Sequence, residues 1–465
     1  IWSRIEDYTM KHPLNRRQFL SSGIGCLSSL ALASLTSPVR AQVSDDYRAL
    51  VLLFQFGGVD CHDTVIPYGT SEYNEYANIR SDLLSAYGDG RARSSLLQLA
   101  SSGVGAEFAL PPEFSGMKTL FDEGAAAVVG NIGPLVEPVT RDSYSAGGIA
   151  LPPRLFSHND QQSLWQSGSP EGASAGWGGL FSDLLSTQGI SSVSDFSALT
   201  TARDRLFVTG YETVPYTASA GGLGVDLNGL VKDQANGTLA DVYQMLTAQG
   251  ESAAHILTRD LAATTVDAFA ANIEYSSILR EAPDLGVTFE SGALGNQLER
   301  VAKIIASRQQ FGVNRQIFLV GAYGYDTHSS QAQTLSSLHN QLDAGVSAFS
   351  EAIKNLGIFN QVTLATASDF GRTLTDNGDG TDHGWGGHQF VVGGAVNGGV
   401  LYGDIPPPSL EHSQDAGNGR LIPTIAVDQY AASLGRWLGL DESGLAQALP
   451  NLGNFSANPL ANLLL

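Results

Sequence analysis

The chain has 465 residues, with 46 acidic side chains against 25 basic ones and a formal net charge of −21. Without Lys or Arg clusters, this balance excludes a nucleic-acid partner and disfavours an anionic membrane surface; acidity suits a protein kept soluble after export. The length allows a large core, as one big α/β domain or two.

Asn15-Arg16-Arg17-Gln18-Phe19-Leu20 leads into an uncharged apolar run from Leu20 to Leu35, followed by Pro38 and Val39-Arg40-Ala41. Paired arginines, a short apolar stretch and a small-residue cleavage pattern predict a secretory signal of the twin-arginine (Tat) type. The run is too short and too rich in Ser and Gly to span a membrane stably. Residues 1–41 are therefore read as an N-terminal extension and signal, and 42–465 as the α/β domain of a bacterial periplasmic or secreted protein. Cys26 falls in the signal, which leaves Cys61 alone and no internal disulfide in the mature chain.

Leu50 to Phe56 is apolar enough for a buried strand and ends at Gly57-Gly58. Ala125 to Val129 reads as a second strand. The stretch from about 180 to 290 is richer in Gly, Ser, Thr and Ala; helices are expected over 239–246 and 256–271, as an insertion or cap. Leu294, Leu298, Val301, Ile304 and Ile305 recur at helical spacing, and a strand follows over Gln316 to Val320. Leu335, Leu338, Leu342, Val346, Phe349 and Ile353 mark a long helix from Ser330 to Leu356. Val362 to Thr366 and Gln389 to Val392 are two more strands. Strand–helix–strand alternation of this kind predicts a mostly parallel sheet.

The polar residues gather just beyond these strands. The first runs into Asp60-Cys61-His62-Asp63, the strand ending at Val320 into Tyr325-Asp326-Thr327-His328, and that ending at Thr366 into Ser368-Asp369-Phe370-Gly371-Arg372-Thr373. Thr381-Asp382-His383-Gly384-Trp385-Gly386-Gly387-His388 immediately precedes the last strand. Open α/β sheets bind ligands at the carboxyl ends of their strands. Asp and His converging there suit a divalent metal, zinc above all, with manganese, magnesium or calcium if carboxylates dominate. Each piece alone reads equally as a turn aspartate or a loop histidine. Of the nine histidines, His62, His158, His328, His383 and His388 all lie in such loops, and that census carries the metal reading.

Arg154-Leu155-Phe156-Ser157-His158 opens another helix. Ser157 reads as its N-cap, which is plain capping or, alternatively, a nucleophile or anion cradle activated by a nearby metal.

Together these motifs resemble the domain-of-unknown-function 1501 family of exported bacterial proteins. They are the Arg-Arg signal, Gly57-Gly58-Val59-Asp60-Cys61-His62-Asp63-Thr64-Val65-Ile66-Pro67-Tyr68, Tyr325-Asp326-Thr327-His328, Ser368 to Thr373, and Thr381-Asp382-His383-Gly384 leading to Val391-Val392-Gly393-Gly394. More distantly the set is similar to the alkaline phosphatase, sulfatase and phosphoglycerate mutase superfamily. The resemblance implies a three-layer α/β sandwich with two divalent metals at the carboxyl edge of the sheet. It implies Asp60, Asp326, His328, Asp369 and His383 or His388 as metal ligands, with Asp382 beside them, and Ser157 at the nucleophile's helix start. Departures are the short Asp326–His328 spacing, Phe370 where the superfamily has a metal-binding histidine, and Cys61-His62 after Asp60.

The expected function is metal-dependent hydrolysis of small phosphate or sulfate esters, with Ser157, His158 and Arg372 as catalytic candidates, Arg372 holding the remaining oxyanion. The competing expectations are a non-catalytic binding or assembly protein on a degenerate phosphatase-like fold, favoured by Phe370, and a metal-free solute-binding protein. Cys61 reads best as a small buried thiol.

Overall fold

The computed structural model describes residues 46–100, 107–192, 194–222, 247–250, 252–456 and 458–465. The signal expected over 1–41 and the helix expected over 239–246 lie outside them.

The apolar runs form strands, each extending a few residues beyond the sequence signal. In chain order they begin with β1 (Arg48–Phe56), β2 (Ile66–Pro67), β3 (Leu97–Gln98), β4 (Phe108–Leu110) and β5 (Ala126–Gly133). Next come β6 (Ala198–Thr200), β7 (Tyr216–Thr217), β8 (Arg315–Tyr323), β9 (Val362–Ser368) and β10 (Arg372–Asp376). The last are β11 (Thr381–His383), β12 (Gly387–Gly393), β13 (Leu401–Tyr402) and β14 (Ile425–Ala426).

Nine of these strands build one sheet, in the order β13-β5-β12-β9-β1-β8-β6-β7, with β14 also paired to β5. β2, β3 and β4 form a small separate sheet, and β10 pairs only with β11. The central pairs β9–β1–β8 are parallel and in continuous register, Leu53 lying opposite both Val320 and Thr366. The long crossovers in the sequence force this arrangement.

Alternate residues of β1 enter different cores, as the period of two requires. Ala49, Val51 and Leu53 pack with the stripes of the helices Ala293–Ala306 and Gln331–Asn355. Leu50, Leu52 and Phe54 pack with the helices Trp177–Thr187 and Val427–Leu438 on the opposite face. Burying both faces gives the expected three-layer sandwich around a mostly parallel sheet, and it explains why β1 is apolar throughout.

Two features differ from the sequence reading. The stretch 180–290 contributes two short edge strands, β6 and β7, besides its helices. More consequential is β12, which runs antiparallel to both its neighbours, β5 and β9. Only a hairpin, β10–β11, separates β9 from β12, so no crossover helix returns the chain to the start of the sheet. The chain therefore enters β12 at the carboxyl edge of the parallel strands. A parallel β12 would have carried His383 and His388 to the opposite edge. Among the described residues no helix is long and apolar enough to cross a membrane.

Candidate metal centre

Three loops and one helix start meet at that edge. β8 delivers Asp326 and His328, β9 ends beside Asp369 and Phe370, the β10–β11 hairpin carries Arg372, Asp382 and His383, and His158 opens the helix His158–Ser167. Close approach requires Gly57: its φ is +120°, and a Cβ there would lie 2.3 Å from the Asp326 backbone nitrogen. An L-residue would push the Asp326 loop away.

Asp326 is the centre of the group. Its Oδ1 lies 3.5 Å from His158 Nε2, 3.2 Å from His328 Nε2 and 3.3 Å from His383 Nε2, and it accepts a hydrogen bond from Arg372 Nη2. The ligand atoms of His158, Asp326 and His383 all lie within 4.8 Å of one another. The far side of each imidazole is fixed. His158 Nδ1 donates to Asp369 Oδ2 at 2.6 Å, and His383 Nδ1 donates to the Phe156 carbonyl at 2.8 Å. His328 Nδ1 faces Asp382 Oδ1 at 3.4 Å. Phe156 has a φ of +72°, a left-handed conformation unusual for an aromatic residue, and it aims the carbonyl that His383 uses.

These contacts fix the tautomers. A carbonyl or carboxylate can only accept, so Nδ1 of His158 and of His383 carries the proton and Nε2 offers a lone pair. His158 Nε2 is buried with no hydrogen-bond partner among the described residues. His383 Nε2, its Nδ1 proton being committed to the Phe156 carbonyl, accepts a hydrogen bond from His328 Nε2 at 2.8 Å, which a cation bound by His383 would replace. Ligands held about 2.0–2.1 Å from a tetrahedral ion are separated by roughly 3.4 Å, close to the spacings around Asp326 Oδ1. Carboxylate or carbonyl partners behind each histidine are also the usual support of metal-binding imidazoles. His158, Asp326 and His383 fit one divalent cation, with His328 beside them.

Electrostatics follow the same lines. The hydrogen bond to Asp369 raises the pKa of His158 above its ordinary value, against the effect of burial. Burial opposes the charge of Asp326, yet Arg372 holds its carboxyl below the usual range. Burial lowers the pKa of His383, favouring the neutral, ligating form.

The remaining sequence candidates stand differently. Asp60 is not brought to the cluster. It is fully buried, its Oδ2 accepts from Arg80 Nη2 and Gln331 Nε2, both at 2.6 Å, and its Oδ1 accepts from the His62 backbone. His388 is also buried elsewhere: its Nδ1 accepts from the Asn131 backbone, and burial pushes its pKa down to about 3. Asp369 and Asp382 stand behind histidines. Asp369 orients His158 and also accepts from Gln162 Nε2 and the Gly57 backbone.

Arg372 does not face an open oxyanion position. It is fully buried and donates to the carbonyls of Gly57, Gly58 and Thr381 as well as to Asp326. Ser157 occupies the N-cap position without capping; its hydroxyl donates to Asp160 Oδ2 at 2.9 Å. Cys61 is a buried thiol, pushed up to about 12 by burial.

The sequence reading placed His158 among catalytic candidates rather than ligands. Phe370, standing where a metal histidine was expected, packs its ring 4.9 Å from that of His158 and 4.6 Å from that of His383. The imidazole that the end of β9 lacks thus arrives from another element. The available signal was Ser157-His158 at a helix start; nothing local ties it to Asp369, 211 residues away.

Among solved structures the chain is similar to the PsFucS1 sulfatase from Pseudoalteromonas sp. at 11% identity, covering 86% of this chain and 69% of that one, with a TM-score of 0.34. It is similar to the zinc complex of the C-terminal periplasmic domain of EcEptC from Escherichia coli at 10% identity, with 91% and 93% coverage and a TM-score of 0.36. The lipoteichoic acid synthase LtaP from Listeria monocytogenes gives 8% identity, 90% and 78% coverage and a TM-score of 0.32. No curated protein matches the chain. Residues 47–444 match the family described as "Protein of unknown function (DUF1501)", and the chain belongs to that family.

Proposed function

We propose that the protein is an exported hydrolase of phosphate or sulfate esters that works with a divalent metal, zinc above the alternatives. The observation that carries this reading is the convergence of His158, His328 and His383 Nε2 on one Asp326 oxygen. A cation held there would polarise an ester oxygen and make a bound water or hydroxyl acidic. Around it, Asp369, Asp382 and the Phe156 carbonyl hold the three rings in orientation, and Arg372 keeps Asp326 ionised and aimed. Phe370 supplies an apolar wall against the His158 and His383 rings. Asp160 is hydrogen-bonded to Ser157 and is placed to take its proton if that hydroxyl attacks the ester. Export rests on the Arg16-Arg17 signal.

The second reading, a binding or assembly protein on the same fold, is favoured by one observation: Asp60, expected as a ligand, is closed off by Arg80. Elemental analysis of the exported protein beside an Asp326→Ala, His383→Ala double variant separates the two. Bound zinc that the variant loses, with phosphatase or sulfatase turnover that disappears alongside it, supports the hydrolase. A folded wild-type protein that takes up no divalent metal overturns it.

A further inference from the structure

Two chain segments carry most of the candidate ligands. Asp326 and His328 stand on the loop after β8, and Asp382 and His383 on the β10–β11 hairpin. Loop and hairpin lie against each other. The Thr381 backbone N–H donates to the Thr327 carbonyl at 3.1 Å, and Asn377 Nδ2 donates to the His328 carbonyl at 3.2 Å. A Cβ on Gly380 would lie 2.3 Å from the His328 carbonyl carbon. Each segment also turns one threonine inward: Thr327, between Asp326 and His328, and Thr381, directly before Asp382, are both buried.

Both hydroxyls end on the same atom. Gln331 Oε1 accepts from Thr327 Oγ1 at 3.0 Å and from Thr381 Oγ1 at 2.6 Å, while Gln331 Nε2 donates to Asp60 Oδ2 at 2.6 Å. Gln331 is fully buried at the first position of the helix Gln331–Asn355, and its backbone N–H donates to the Asp379 carbonyl in the same hairpin. The amide has one satisfactory orientation. Asp60, paired with Arg80, is a carboxylate and can only accept, so the amide nitrogen faces it and the amide oxygen faces the threonines. Among the described residues, Gln331 is the one side chain bonded to both ligand-bearing segments and to Asp60.

Resting on the metal reading above, we infer that Gln331 is a positioning residue of the centre, which sets Asp326 and His328 against His383 by anchoring both segments to the buried Asp60–Arg80 pair. The backbone contacts hold loop and hairpin to each other; the Gln331 side chain holds the two of them to the floor beneath. All three side chains of the link are buried, so losing the amide leaves two hydroxyls without their acceptor and loosens the segments. A cation would then have to draw its ligands together at the expense of its own binding. Asp60 serves the centre through this link and not by ligation. Asp60→Asn keeps an oxygen within reach of Gln331 Nε2 and so leaves the link in place.

The test sets zinc affinity, from chelator competition, beside stability, from urea unfolding, in the exported full chain. Gln331→Met keeps the length of the side chain and removes its three hydrogen bonds; zinc should bind about tenfold more weakly, the lower end of the loss when a partner supporting a metal site is removed. Gln316→Met is the control. Gln316 is also fully buried and bonded at both ends, to the Tyr47 hydroxyl and the Phe196 carbonyl, but it stands at the start of β8, the end far from the site. That variant should lose stability and keep its zinc affinity. Thr327→Val removes one of the two bonds to the amide oxygen and should weaken zinc about threefold, half the effect in free energy. Thr327→Ser retains the hydroxyl and should restore the wild-type affinity. Should Gln331→Met fail to fold, the two Thr327 variants carry the test. Unchanged zinc affinity in a folded Gln331→Met protein, an equal loss in Gln316→Met, or no difference between Thr327→Val and Thr327→Ser would overturn the inference and leave the metal reading standing. A folded wild-type protein that binds no zinc would instead overturn the metal reading, and the inference with it.

Discussion

Replacing Asp60 by Asn tests whether this aspartate is a ligand or a foundation. The substitution keeps size and shape and removes one charge. In the native protein that charge is fully buried and meets Arg80 Nη2 and Gln331 Nε2, each at 2.6 Å. Arg80 is equally buried, donates its Nε to the Leu374 carbonyl, and already has one unpartnered nitrogen, Nη1. Without Asp60 its guanidinium would be a buried charge with only carbonyl partners. Breaking one side of a buried pair costs about 3–5 kcal/mol. Asp63 lies close enough to act on Arg80, but Arg91 already engages it, so we expect the lower part of that range, about 3 kcal/mol. Urea unfolding gives the cost, and zinc stoichiometry measured on the folded fraction gives the other half of the test. Asp60→Asn should lose stability and keep its zinc. Asp326→Asn should do the reverse: its side chain is 48% exposed, so the stability loss should be about 1 kcal/mol or less while zinc is lost. A stable Asp60→Asn protein without zinc would refute the assignment and return Asp60 to the metal site.

Three further outcomes follow from the same geometry. Asp369→Asn, which removes the charge behind His158, should weaken zinc binding about 10–100-fold in a chelator competition, since such supporting partners contribute that much to affinity. Gly57→Ala should cost about 1–3 kcal/mol in thermal or urea unfolding and weaken zinc binding together, because the added methyl meets the Asp326 backbone; stability loss with unchanged affinity would refute the close-approach argument. Acid should destabilise the protein well above the carboxylate range. Burial holds His62 down to about 4 and His339 and His388 down to about 3, so the folded state keeps them neutral while the unfolded chain protonates them near 6.5. A depressed pKa contributes stability that is present above the unfolded value and is lost as pH falls toward the folded one. Between pH 6 and pH 5 the three together should remove about 3–4 kcal/mol, read from urea midpoints, and His339→Phe should reduce that loss by about a third.

Much of the architecture is legible in the sequence because burial on both faces leaves apolar runs that no helix period explains: β1, β5, β8 and β9 stand out for this reason. β6 and β7 are three and two residues long, too short for any period to register. Strand direction is not written in a period of two either. The reversal of β12 follows from the link after Ser368 forming the β10–β11 hairpin instead of a helix, which its glycines, Gly371, Gly378, Gly380, Gly384 and Gly386, favour. In the site, Asp326, His328 and His383 are readable as rare residue types in Gly-rich loops. The fate of Asp60 depends on Arg80, which stands at the end of the helix Thr70–Ile79, and no local pattern couples the two. Arg372 fails as an oxyanion holder for a similar reason: its partners are carbonyls from Gly57, Gly58 and Thr381, invisible in any motif.

The two ways this fold uses carboxylates bear on whether the chain is catalytic or a scaffold. Asp60 and Asp63 sit under the site in buried pairs with Arg80 and Arg91, which satisfies them and removes them from chemistry. Asp326 is treated otherwise: it remains half open to solvent, with three imidazole nitrogens within 3.5 Å of its Oδ1, of which His158 Nε2 has no hydrogen-bond partner among the described residues. An unpartnered buried His158 Nε2 costs roughly 1–3 kcal/mol, avoidable by turning or substituting the ring. The strained Phe156 backbone, which keeps His383 turned inward, adds to the same side. What distinguishes this constellation from the other unpartnered buried groups, such as Arg80 Nη1 and His339, is that its open nitrogen faces a carboxylate half exposed to solvent, which a cation can reach.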